Sequence, residues 1–227
     1  MRAHELVLQR LESDLAAGTL SVGDRLPGER TLAEELSVSR SSVREAMRVL
    51  EAMGVVRTTV GSGPEAGAIV VADPVTSIGS ALRLHAATKY LPIPDLVETR
   101  ILLESWAVQE VAHRNPGPDF AEVDEVLGAM DNPELTPEEF FRLDATFHIA
   151  MSALAGNVVV AAMMAALRDS MHGYFMTVVP VVDDWSAVAT NLRNEHRTIV
   201  GGVRRGHGAK AAEMVRAHIR GYFELTR

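Results

Sequence analysis

Ser39-Arg40-Ser41-Ser42-Val43-Arg44-Glu45-Ala46-Met47-Arg48-Val49-Leu50-Glu51-Ala52-Met53 carries two helical stripes at once. Val43, Met47 and Leu50 recur at the spacing of a buried face. Arg40, Arg44 and Arg48 recur every fourth residue along another, which lines three guanidinium groups on one side of the helix. Ser39, Ser41 and Ser42 bring hydroxyls and free backbone N–H groups to its start, where they suit helix capping and phosphate oxygens alike. Only Ser37-Val38 separates this stretch from a second predicted helix over 31–36, and so short a break forces the two to cross sharply.

Outward from that pair, residues 4–17 place Leu6, Val7, Leu11 and Leu15 at helical spacing, and a turn-like stretch runs from Gly18 to Pro27. After Gly54, Val55 to Val60 is rich in β-branched residues, Gly61-Ser62-Gly63-Pro64 reads as a turn, and Ala68-Ile69-Val70-Val71 is apolar again. Helix, helix-turn-helix and hairpin in that order predict a winged helix-turn-helix over residues 1–72. Arginine forks match the acceptor edge of guanine and also clamp phosphates, so the arginine stripe fits a helix entering the major groove. The same stripe also fits a solvated face paired with Glu34, Glu35, Glu45 or Glu51.

From Asp73-Pro74 the pattern becomes helical throughout, over 74–87, 94–113, 118–130, 137–154, 158–179, 185–204 and 209–225. Residues 73–227 are therefore expected to form an antiparallel all-α bundle, giving a mainly α protein with one small hairpin. Thr136-Pro137-Glu138-Glu139 supplies an N-cap, a proline in the first turn and a capping-box glutamate. The short junction from Ala72 to Pro74 is expected to couple the two domains mechanically.

Composition agrees with two domains, since 227 residues with 47% hydrophobic content exceed one ordinary core. The absence of cysteine excludes disulfides and thiolate metal sites and leaves His, Asp and Glu as the strong ligands. A net charge of −8 speaks against non-specific coating of nucleic acid, although a sum says nothing about one local arginine cluster. With no basic-then-apolar leader and no apolar run near the ~20 residues that cross a bilayer, the expected location is the cytoplasm, with no membrane partner.

Four polar residues of the second domain fall where packing calls for hydrophobes. Asp144 and His148 lie one turn apart on the stripe of Phe140, Phe141, Phe147 and Met151. His196 is in step with Leu192, Ile199 and Val203, and His218 with Val215, Ile219 and Tyr222. Any one of these histidines fits a hydrogen-bonded core residue. Burying all four groups unpaired costs roughly 1–3 kcal/mol each, and a shared divalent cation removes that cost. One carboxylate and three imidazoles suit zinc first, and also nickel, cobalt, manganese or iron.

Arg25-Leu26-Pro27-Gly28-Glu29-Arg30, Leu32-Ala33, Leu36, Val38-Ser39-Arg40, Val43-Arg44-Glu45-Ala46, Leu50 and Gly54 together resemble the DNA-binding domain of GntR regulators. The resemblance implies that Arg30, Arg40 and Arg44 contact an operator and that Gly61, at the wing tip, approaches the minor groove. Ser39, Ser41 and Arg48 join that set from the spacing read above. Gly28 stands where the family often has serine, and Pro64-Glu65-Ala66-Gly67 interrupts the wing. Asp144, Phe147-His148, Ala150, Leu154-Ala155-Gly156-Asn157, Glu195-His196, Ile199, Ala212 and His218 resemble the FadR-type C-terminal domain, a helical bundle. That likeness implies a metal held by Asp144, His148, His196 and His218 that helps bind a small carboxylate effector, and it speaks against the acyl-CoA-binding branch, which lacks the set.

An anionic effector needs a fixed cation, and Arg100, in a segment resembling one whose arginine faces the effector cavity, is the expected partner. An intrahelical pair with Glu104 fits its spacing equally well. Thr146, Asn191 and Arg193, each near a proposed ligand, are secondary candidates, while His207 is expected to be exposed. The combined expectation is a homodimeric regulator, read as a repressor, on a pseudo-palindromic operator, because one winged helix buries too little for specific affinity. A metal-dependent enzyme acting on a small acid, and a regulator with a purely structural metal, are the competing readings.

Overall fold

A computed structural model describes residues 2–59, 67–114, 117–178 and 184–225. Among them are ten helices and a two-stranded antiparallel sheet. The order is α1 (Ala3–Ala16), α2 (Glu29–Glu35), α3 (Arg40–Ala52), β1 (Val56–Thr59), β2 (Gly67–Val70), α4 (Pro74–Ala87), α5 (Ile93–His113), α6 (Ala121–Met130), α7 (Pro137–Ala153), α8 (Val158–Val178), α9 (Trp185–Arg204) and α10 (Gly208–Leu225). Two units divide inside α4, Met1–Ile78 and Gly79–Arg227. The boundary read from sequence, between 72 and 73, falls just before that helix.

In the first unit α1, α2 and β1 all pack on α3. Val7, Leu11, Leu32, Val43, Met47 and Leu50 supply the buried face, as amphipathic spacing requires. The two-residue break between α2 and α3 puts Ser37 at φ 51°, a left-handed turn. Ser39 then caps α3, its hydroxyl accepting from the Ser42 N–H at 3.1 Å. Helix α2 begins at Glu29, earlier than predicted, because the Gly28 carbonyl already accepts from Leu32 N–H at 3.0 Å. The hairpin pairs Val56 with Val70 and Thr59 with Gly67. The predicted contact residue Gly61 lies outside the described residues.

In the second unit α10 runs against α5 and α9, α7 packs between α6 and α8, and α5 also meets α7, α8 and α9. Buried Phe140, Phe147, Met164, Leu167, Met171 and Ile199 fill the centre. The capping box at Thr136 and Glu139 starts α7 where the sequence places it. Helix α6 starts at Ala121, later than expected from Pro118. The Asp119 carboxylate accepts from the Ala121 N–H at 2.9 Å, a local turn that competes with an earlier helical start. No helix among the described residues is long and apolar enough to cross a membrane.

Candidate metal centre and DNA-reading face

Helix α7 carries Asp144 and His148, α9 carries His196 and α10 carries His218. All four are buried, His196 completely, and one donor atom from each lies within 4.8 Å of the others. His196 Nε2 is 3.2 Å from His218 Nε2, which is 3.2 Å from His148 Nε2. Asp144 Oδ1 is 3.2 Å from His196 Nε2 and 3.6 Å from His148 Nε2. Three of these separations are 3.2 Å, close to the spacing of two donor atoms that share one zinc ion, and the whole set stays within 4.8 Å.

The outer sides of two rings are committed. His148 Nδ1 lies 2.5 Å from Glu104 Oε2, and His218 Nδ1 lies 2.7 Å from Glu195 Oε2. A neutral imidazole has one N–H, and each ring gives it to a carboxylate. The two Nε2 atoms then face each other at 3.2 Å as bare lone pairs, a contact that only a cation or a shared proton relieves. The donor set thus fits a divalent ion.

Electrostatics point the same way. Burial holds His148, His196 and His218 below the ordinary imidazole value, partly opposed by Glu104, Asp144 and Glu195 respectively, so all three rings are neutral and ready to ligate near pH 7. Burial pushes the Asp144 carboxyl up, but Arg168 together with His148 and His196 outweighs it and holds the group well below the usual carboxylate range. Glu104 behaves alike, burial being overcome by Arg100 and His148.

Three residues of this site have no part in it on the sequence reading, although Glu104 pairs with Arg100 by spacing and Glu195 belongs to the FadR-type resemblance. Arg168, buried on α8, makes an ion pair with Asp144 Oδ2. Glu104, buried on α5, joins Arg100 to His148, its Oε1 accepting from Arg100 Nε at 2.5 Å. Glu195, on the rim, also accepts from Asn191 Nδ2 at 2.7 Å. A signal existed for Arg168 and Glu104: both are charges on apolar stripes, the same anomaly that exposed the histidines.

Arg100 is buried beside the cluster, and its intrahelical pair with Glu104 forms as well, so its two sequence readings coexist. A closed-in cavity of about 10 Å³, lined by Arg100, Phe141, Asp144, Arg168, His218 and Tyr222 among others, leaves room for roughly one water. The secondary candidates do not reach it. Thr146 is exposed and its hydroxyl donates to the Arg142 carbonyl at 3.0 Å, because residues two apart on a helix do not share a face. Asn191 is exposed and spends its amide on Glu195. Arg193 turns away, its Nε donating to the Met130 carbonyl at 2.5 Å and its Nη2 to that of Asn132 at 3.2 Å, which ties α9 to the end of α6.

In the first unit Arg30, Ser39, Arg40, Ser41, Arg44 and Arg48 are all exposed. The carboxylate that meets the stripe is Glu29, at 2.9 Å from Arg44 Nε and 3.8 Å from Arg40 Nη2. Of the four acids proposed as partners, Glu34 approaches Arg30 at 4.0 Å, whereas Glu45 meets His4 and Glu51 accepts from Thr58. Arg44 and Arg48 border a groove of about 600 Å³ between α3 and the hairpin.

The family model for the FCD domain matches residues 95–221, and that for bacterial regulatory proteins of the gntR family matches residues 4–65. The Glc operon transcriptional activator of Escherichia coli strain K12 is 26% identical over 221 residues, covering 95% of this chain and 85% of that protein. The HTH-type transcriptional regulator LutR of Bacillus subtilis strain 168 is 28% identical over 218 residues, covering 91% and 96%. A solved structure of a Streptococcus agalactiae GntR protein superposes with a TM-score of 0.71 at 23% identity, covering 98% of this chain and 99% of that one, which shows the fold. The relatives are transcriptional regulators and not enzymes. With one model over the arginine-bearing head and the other over the histidine-bearing bundle, the chain belongs to the GntR family of DNA-binding transcriptional regulators and carries an FCD domain.

Proposed function

We propose that this protein is a cytoplasmic, homodimeric repressor whose grip on a pseudo-palindromic operator is set by a small carboxylate effector at a metal site. The observation that carries the sensing half is the meeting of three Nε2 atoms and one carboxylate oxygen, buried, with two outer N–H groups already spent on glutamates. Asp144, His148, His196 and His218 would hold the ion, zinc before nickel, cobalt, manganese or iron. When bound, the ion supplies Lewis-acid attraction for an anion's oxygens.

Charge supports an anionic effector. Arg100 and Arg168 cancel Glu104 and Asp144 in the core, so a divalent ion leaves an excess of two positive charges, reduced to one by Glu195. A carboxylate relieves that excess, with Arg100 as its fixed partner. The cavity holds about one water, so an acid enters only as side chains or helices give way. An effector that must displace protein to bind has the differential affinity for two conformations that switching requires. On the head, Arg30, Ser39, Arg40, Ser41, Arg44 and Arg48 would face the duplex, Arg44 exchanging Glu29 for DNA.

The small cavity favours one competing reading, a purely structural metal with no effector beside it. Arg100→Ala separates them. Calorimetry of the metal-loaded protein with a panel of small di- and hydroxycarboxylic acids is expected to show binding that Arg100→Ala removes while metal content stays. The acid's affinity is also expected to differ with operator present. A panel without binders, or binding indifferent to Arg100 and to operator, removes the effector reading.

A further inference from the structure

The four cluster residues do not hold themselves in place equally. His148 is held from α5 by Glu104 at 2.5 Å, and His218 is held from its neighbour helix α9 by Glu195 at 2.7 Å. His196 is different, because its Nδ1 is buried and makes no hydrogen bond among the described residues. We infer that Glu104 and Glu195 are positioning residues that lock His148 and His218 as Nδ1–H tautomers, so that their Nε2 lone pairs point at the cation from two fixed sides while His196 adapts. This rests on the reading of the cluster as a cation site.

The reasoning is one of proton inventory. A free imidazole prefers neither nitrogen strongly, and a ring carrying its proton on Nε2 would aim an N–H at the centre and repel a cation. A carboxylate on Nδ1 removes that alternative and makes the ring a better donor. His196, with Nε2 3.2 Å from Asp144 Oδ1, is the ring that can give an Nε2–H to the aspartate or a lone pair to a cation. The cluster therefore has two preset ligands and one whose single proton must move from Nε2 to Nδ1 on loading, the ring staying neutral. Glu195 does this work from the rim, on the residue next to His196, and it is itself braced by Asn191 Nδ2 at 2.7 Å.

Glu104 also neutralises buried Arg100, so its removal confounds folding with positioning, and the decisive variants are made at Glu195. Zinc affinity of the full chain, stripped and titrated against a chromophoric chelator, is expected to fall about 10–100-fold in Glu195→Ala, with Glu195→Gln recovering part because its amide oxygen still accepts. Long-range proton–nitrogen spectra of histidine-labelled, metal-free protein are expected to show Nδ1–H at His148 and His218 in the natural sequence, and a mixed tautomer at His218 in Glu195→Ala. Unchanged zinc affinity in a folded Glu195→Ala protein, or a His218 signal indifferent to the substitution, overturns the assignment. Locked tautomers in a natural protein that binds no zinc, nickel or cobalt would instead retire the cation reading on which it rests.

Discussion

Arg168 and Asp144 form a buried ion pair in which the guanidinium takes Oδ2 and leaves Oδ1 for the histidines. Replacing one member of such a pair leaves the other charged and unpaired in a medium that solvates it poorly. Arg168→Met is expected to cost about 3–5 kcal/mol in urea unfolding of chelator-treated protein, less with zinc present because the ion then balances Asp144. No loss would show that Asp144 finds its balance elsewhere, and a loss of equal size with and without zinc would show that the ion does not balance it. On the head, Arg40→Ala and Arg44→Ala are each expected to weaken operator binding by about 1–3 kcal/mol if the guanidinium reads a base, with the fold intact by circular dichroism. Gel shifts that match the natural protein would remove those side chains from the interface. Glu29 shows why residue-level pairing was partly illegible: it lies one helix away from Arg44 in sequence, and i, i+4 reasoning looks only along a single helix.

At the level of elements, the connection between α3 and β1 depends on Gly54. Its φ is 68°, and a Cβ built there would collide with the Asp73 carbonyl, whose own N–H bonds back to the Gly54 carbonyl at 3.0 Å. Gly54→Ala therefore meets both left-handed strain and a backbone clash, and is expected to cost more than about 1 kcal/mol. Thermal unfolding followed by a probe on the head would detect it; an unchanged midpoint would mean the turn has another conformation open to it. Element boundaries were legible where a cap is written in the sequence. Thr136 and Glu139 start α7, and with that start fixed, the helical repeat delivers Asp144 and His148 to one side. They were less legible at α6, where Asp119 forms a turn first.

For the whole molecule, the buried site makes stability depend on acid in one direction. His148, His196 and His218 have folded values below the ordinary 6.5. The unfolded chain therefore takes up protons first as pH drops, and their contribution, complete above 6.5, is lost below it. Asp144 and Glu104, held below 3.8 and 4.5, add a further loss in the same direction at still lower pH. The unfolding midpoint of metal-free protein is expected to stay level above pH 7 and to fall as pH goes from about 7 to about 5. A midpoint flat across that window would mean that the rings take up protons alike in the folded and unfolded chain, and one that rises on acidification that the fold holds them protonated.

The sequence by itself determined which residues are anomalous. Periodicity marked Asp144, His148, His196 and His218 as inward and Arg40, Arg44 and Arg48 as outward, because a helix repeats its faces every 3.6 residues whatever it packs on. It could not determine which anomalies meet. Only the packing of α5, α8 and α9 around α7 and α10 set Glu104 on His148, Arg168 on Asp144 and Glu195 on His218, and turned Thr146 and Arg193 away. The physical reason is range: helical periodicity is a local property of the backbone, whereas pairing between helices depends on crossing geometry that the whole core decides.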